Sequence, residues 1–165
     1  MRLLILMLCL LATPALALEP PPAPPAAQIN QTLDAVHDAA ARADADRYFG
    51  LYAKDAIYIG TDAAERWTIA QFRAYAEPYF AQGKGWTYRP RERHVTVTDD
   101  PCRCIAWFDE LLDSDSYGTS RGTGVMVVQD GEWKVAQYAL TFPMPNDLAK
   151  GFTDQIKAFE AKPKP

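Results

Sequence analysis

Histidine and cysteine are scarce in this chain, two and three among 165 residues. No four-ligand zinc pattern can be assembled from them by spacing. The sequence also lacks a nucleophile elbow, a glycine-rich phosphate loop and a dinucleotide glycine pattern, the usual signatures of serine hydrolases, phosphate-loop enzymes and nicotinamide enzymes. No metal and no cofactor is expected. Basic residues are outnumbered, 17 Lys and Arg against 21 Asp and Glu, for a formal net charge of −4. Nucleic acid and anionic membrane surfaces are therefore poor partners. No internal repeat is visible.

Long apolar runs are absent except at the start. In "MRLLILMLCLLATPALALEP" one arginine precedes an apolar run, and Ala15-Leu16-Ala17 supplies the small residues a signal peptidase accepts. Residues 1–17 are expected to be a signal peptide, which places the mature protein in the periplasm or outside the cell with no membrane attachment. Cys9 lies within that run behind the bulky Leu8, which argues against a lipoprotein. Cleavage leaves 148 of the 165 residues, one ordinary domain, and the loss of Arg2 takes the formal charge to −5. Residues 18–27, "LEPPPAPPAA", hold five prolines in ten and read as an extended linker. The domain is expected over 28–160 and a flexible tail over 161–165.

Two cysteines remain, in "DDPCRCIAW". An oxidising compartment permits a bridge between Cys102 and Cys104, but in a regular strand their Cα atoms stand near the upper end of the disulfide range, so a local bend is required. A redox site and a structural pair at a strand start are both readings of this motif; the second is favoured.

From Gln28, Ile29, Leu33, Val36 and Ala40 recur at helical spacing. Asp44 caps a second short helix with Tyr48, Leu51 and Tyr52 facing inward. A strand "AIYIG" follows, ended by Gly60. Thr68 and Gln71 form a capping box, and Trp67 with Phe72 a hydrophobic staple, for a third helix that Pro78 kinks or ends. The period then changes to two: "WTYRPRERHVTVT", "CRCIAWFDELL", "TSRGTGVMVV" and "EWKVAQYALTF" read as four antiparallel strands. A last amphipathic helix, capped at Asn146, carries Leu148, Phe152, Ile156 and Phe159 on one face.

This order is α+β. Together with "DAIYIGTDAAERW", "AWFDELL", "RGTG" and "WKVAQY", it resembles the SnoaL-like branch of the nuclear transport factor 2 superfamily. The resemblance implies a conical cup, with helices on the concave side of a curved antiparallel sheet (an α+β barrel) around a cavity, and sheet-to-sheet homodimers. That superfamily includes ketosteroid isomerase, polyketide cyclases and dehydratases, so the fold leaves the function open.

Alternation along strands decides which residues reach the cavity. A two-residue Asp130-Gly131 loop sets Val128 opposite Trp133 and groups Arg121 with Tyr138 and Leu140. A three-residue loop, Gln129 to Gly131, gathers Val125, Val127, Trp133 and Val135 on one apolar face, completed by Thr123, Gln137 and Arg121. The second is expected here. Arg121 then ends an inward face where an apolar floor meets a polar mouth, and Glu110, folded back across "DSDSYG" beside Phe108, supplies the counter-charge a buried guanidinium needs. The candidate ligand-binding set is Arg121, Glu110, Gln137, Trp133, Phe108 and Thr123. A structural ion pair explains Arg121 and Glu110 equally well.

Asp62 and Glu65 read mainly as helix-cap or dipole partners, His94 and the arginines at 89, 91 and 93 as a solvated face, and His37 as structural. Two functions follow. One is an exported domain binding a small apolar or amphipathic molecule; the other is a cofactor-free isomerase, cyclase or lyase with Glu110 or Asp62 as base and Tyr58 or Arg121 stabilising an enolate. A cup filled by its own side chains is the third.

Overall fold

A computed structural model describes residues 23–162. The expected signal segment, the first half of the linker and most of the tail lie outside them. The elements are α1 (Pro25–Ala41), α2 (Ala45–Gly50), β1 (Tyr52–Ile59), β2 (Arg66–Thr68), α3 (Ile69–Phe80), β3 (Arg89–Val97), β4 (Ile105–Ser114), β5 (Gly118–Gln129), β6 (Glu132–Thr141) and α4 (Asn146–Glu160). Helix α1 starts three residues before Gln28, because a proline in the first turn forfeits no intrahelical bond. Its Ile29, Leu33, Val36 and Ala40 are buried as their spacing predicts.

The α3 signals form as read. Thr68 Oγ1 accepts from the Gln71 N–H at 3.3 Å, and the Gln71 side chain accepts from the Thr68 N–H at 2.9 Å. The Trp67 and Phe72 rings stack with centroids 5.5 Å apart. Pro78 falls in the last turn of α3, and the helix ends two residues later.

The fold is α+β, with a six-stranded curved sheet in the order β2-β1-β6-β5-β4-β3. The curved sheet is unclosed, with β2 and β3 as its edges. One expectation is corrected: the sheet is not wholly antiparallel, since β1 runs parallel to β6. Helix α1 lies over β3 and β6, and α3 over β1.

The β5–β6 hairpin decides which side chains face inward. Its loop has two residues, Asp130 and Gly131, both at positive φ (54° and 82°), with Gln129 opposite Glu132 and Val128 opposite Trp133. The three-residue loop is therefore wrong. By itself a two-residue loop would put Trp133 and Val135 on the face opposite Tyr138 and Leu140. A β-bulge intervenes: Met126 pairs with Val135 but Val125 with Gln137, so Ala136 is an extra residue that inverts the alternation. All four side chains point inward and are buried. Thr123, Val125 and Gln137 are turned to the outer face, against expectation.

Arg121 is likewise exposed on the outer face, paired with Leu111; Glu110 faces Gly122 instead. The expected Arg121–Glu110 pair fails by one residue of register.

Helix α4 forms at its expected span, though without a side-chain cap from Asn146, and buries none of its residues. It does not cover the sheet. Leu148, Phe152, Ile156 and Phe159 are exposed, and Phe142, itself exposed, stacks on Tyr117 at 4.9 Å. Among the described residues no helix is long and apolar enough to cross a membrane.

Because α4 contributes no buried side chain, truncation after Pro145 should leave the thermal unfolding midpoint of dilute protein within about 2 °C of the full chain, a ΔΔG well below 1 kcal/mol. A larger drop in a calorimetric scan would show that α4 packs on the domain.

Candidate functional site

Three elements converge on one carboxylate. Glu110 stands on the inward face of β4 between Phe108 and Leu112 and is fully buried. Its Oε1 is 2.8 Å from His37 Nε2 on α1 and accepts the Tyr138 hydroxyl of β6 at 2.9 Å. Its Oε2 accepts from Arg93 Nε of β3 at 2.7 Å. Arg93 continues to α1, where Nη1 donates to Asp34 Oδ1 at 2.8 Å and to the Asn30 carbonyl at 3.2 Å. Arg93 Nη2 is buried without a hydrogen-bond partner among the described residues.

Sequence explains why these groups can meet. Gly122 lies across from Glu110, and a Cβ there would overlap the Tyr138 hydroxyl. The absent side chain is the room the network occupies. Burial pushes the Glu110 carboxyl up, but the hydrogen bonds and charges of His37 and Arg93 outweigh it and hold the group below its ordinary range. Burial, then the charge on Glu110, raise the Tyr138 phenol well above its usual value, so it remains a neutral donor.

Beside the network is a small pocket lined by Val36, His37, Ala40, Leu140, Trp86 and five tyrosines, 48, 52, 58, 88 and 138. It leaves about 10 Å³ for the centre of a water molecule, the least volume that holds one. Tyr58 is stacked on Phe72 at 3.8 Å, and the Tyr48 and Tyr52 hydroxyls share a hydrogen bond at 2.9 Å. Burial raises the phenols of Tyr48, Tyr52 and Tyr58, so this lining offers neutral hydroxyls.

Of the residues proposed from sequence, Glu110, Phe108 and Tyr58 belong to this interior, with Phe108 against Tyr138 at 5.7 Å. Arg121, Thr123 and Gln137 do not. Trp133 is buried, but it lines a separate open groove between α1 and the β5–β6 turn with Gln28, Thr32 and Glu132. Asp62 is exposed and accepts from the Ala64 N–H at 2.8 Å, an Asx-type turn outside the cup. His94 is exposed and pairs with Glu92 at 2.9 Å.

Sequence reading missed His37, Arg93 and Tyr138, although each left a signal. His37 is four residues after Leu33 and three before Ala40, on the edge of the buried stripe. Arg93 alternates in step with Val95 and Val97, which face the core. Tyr138 and Leu140 break the alternation of Trp133 and Val135, as a bulge requires.

Helices packed on a curved, unclosed α+β sheet give the nuclear transport factor 2-like fold. Residues 29–145 match the model of the SnoaL-like domain, and the chain belongs to that family. Solved structures of similar fold include an NTF2-like protein of unknown function from Pseudomonas putida KT2440 (19% identity, 74% of this chain and 90% of that one, TM-score 0.60). Others are a candidate dehydratase of the NTF2-like family from Streptomyces avermitilis (14%, 72% and 96%, 0.59) and a candidate aromatic ring hydroxylase from Novosphingobium aromaticivorans (17%, 72% and 89%, 0.58). No curated protein matches the chain.

Arg93→Met should destabilise by about 3–5 kcal/mol in urea unfolding because it strands a buried carboxylate, and adding Glu110→Gln should recover part of the loss. Since the folded Glu110 pKa is depressed, its contribution is complete above the unfolded value, about 4.3, and is lost as pH falls from there through the folded value. Stability of Glu110→Gln should accordingly fall less steeply than wild type over that acid limb; parallel curves would refute the assignment.

Proposed function

We propose that this SnoaL-like domain is exported and binds a small apolar or amphipathic molecule in its cup, with the polar end at His37 and the tyrosine hydroxyls. The carrying observation is the His37–Glu110 contact. One imidazole nitrogen is committed to a buried carboxylate while the ring itself lines a tyrosine-walled pocket. A metabolite needs roughly 300 Å³ or more, so occupancy requires Trp86 and Tyr88, on the coil before β3, to turn outward.

The same contact favours a second reading, cofactor-free acid–base catalysis. Glu110, held ionised by three donors, is a poor base, but it orients His37, whose ring lines the pocket and is the acid–base group of this reading. Tyr58 would then supply a neutral donor to an enolate oxygen.

Native mass spectrometry of gently purified protein should show a small molecule that leaves on denaturation, and phenol, added as an aromatic probe, should shift the His37 ring resonances. His37→Ala should abolish retention. Protein that retains nothing and ignores phenol has a cup filled only by its own side chains, which ends the binding reading. Retention with no turnover of carbonyl or hydroxylated analogues by wild type would remove the catalytic one.

A homodimer is proposed through the outer sheet face. Ile57, Gln137, Val125, Trp107 and Thr96 align across five strands, and the Trp107 side chain is 51% exposed. Trp107→Arg should convert a sedimenting dimer to monomer with the domain still folded; a monomeric wild type would dismiss the idea.

A further inference from the structure

The Cys102–Cys104 bridge forms in the turn between β3 and β4, away from the cup, with Cα atoms 5.1 Å apart. The turn after Pro101 supplies the bend that a strand would not. A loop closed over so short a span restricts the unfolded chain least of all, so the bond is a weak staple. Other bonds already hold the turn. The Thr98 N–H and Oγ1 both donate to the Ile105 carbonyl at 2.9 Å, the Val128 N–H donates to the Cys104 carbonyl at 2.9 Å, and the Arg103 N–H donates to the Asp100 carbonyl at 3.1 Å.

The two sulfurs are not equivalent. Cys102 is exposed and Cys104 half-buried, and Asp100 Oδ1 lies 3.6 Å from Cys102 Sγ. A carboxylate beside Cys102 disfavours a thiolate there and makes Cys104 the better leaving group.

We propose that Cys102–Cys104 is a thiol–disulfide exchange site that accepts two electrons from a partner dithiol at the exposed turn. The partner's thiolate attacks Cys102 Sγ. The intramolecular S–S bond breaks, its electron pair goes to Cys104, and Cys104 takes a proton. The partner's second thiol then loses its proton and attacks the partner sulfur of the mixed disulfide, releasing Cys102, which is reprotonated beside Asp100. One disulfide here becomes two thiols and two partner thiols become one disulfide, so electrons and protons balance.

The test treats the native full chain with reduced glutathione or with reduced thioredoxin as a dithiol-protein probe, then blocks free thiols and weighs the product. Both cysteines should become blocked by thioredoxin treatment without loss of the folded circular dichroism signal. Opening by glutathione alone would keep the exchange chemistry but assign it to a small thiol and overturn the dithiol partner. Reduced thioredoxin whose resolving cysteine is replaced by serine should trap a mixed disulfide with the wild-type chain, and peptide mass mapping should place it on Cys102; a mixed disulfide on Cys104 overturns the assigned direction. A bridge that resists both reductants until urea unfolds the chain, or a chain that unfolds when it opens, overturns the exchange site.

Discussion

One buried carboxylate organises this domain. Glu110 has no access to water, and an ion in that position is tolerated only when donors replace its hydration. The donors come from α1, β3 and β6, so helix and sheet must approach in one orientation before any of them is satisfied. Arg93 strengthens the tie by gripping α1 at Asp34 while it neutralises Glu110. The apolar packing of Ile29, Leu33 and Val36 would tolerate small shifts of α1 along the sheet. The charge network would not.

The same network shapes the chemistry available inside the cup. A carboxylate that accepts three hydrogen bonds has little basicity left, and it meets the pocket through His37. Around it, phenols raised by burial remain protonated, giving neutral donors inside an apolar wall. The aromatic packing that makes the wall also fills it. Tyr58 between Phe72 and Tyr138, and Trp86 against Phe80 at 4.7 Å, leave room for little more than a water. Access to the cup is therefore a matter of moving side chains on the coil between α3 and β3, where Trp86 and Tyr88 are only half-buried.

Polar chemistry and apolar surface are distributed unequally. The interior holds an ion network around Glu110; the exterior carries an exposed Trp107 in a mixed row with Ile57, Val125, Gln137 and Thr96, and an apolar stripe on α4 that the described chain leaves uncovered. Register produces the division. Leu111 and Arg121 pair on the outer face one residue away from Glu110 and Gly122 on the inner one.

The element order apart from the short β2, the α3 capping box, the Asp44 cap and the four late strands were legible from sequence because they rest on local periodicity and on caps formed by residues three apart. The α+β class and the family likeness followed from that order. Glu110 was legible as a buried carboxylate, Tyr58 and Phe108 as inward side chains. Its partners were not, because the choice among Arg121, Arg93 and His37 depends on cross-strand register and on how α1 crosses the sheet. A single extra residue, Ala136, returns Tyr138 to the interior after Trp133 and Val135, and a two-residue turn in place of a three-residue one moves Arg121 out. Side chains alternate with a period of two, so one residue of register decides between core and solvent. Only the assembled sheet settles that residue, since the bulge is held by pairing with a neighbouring strand.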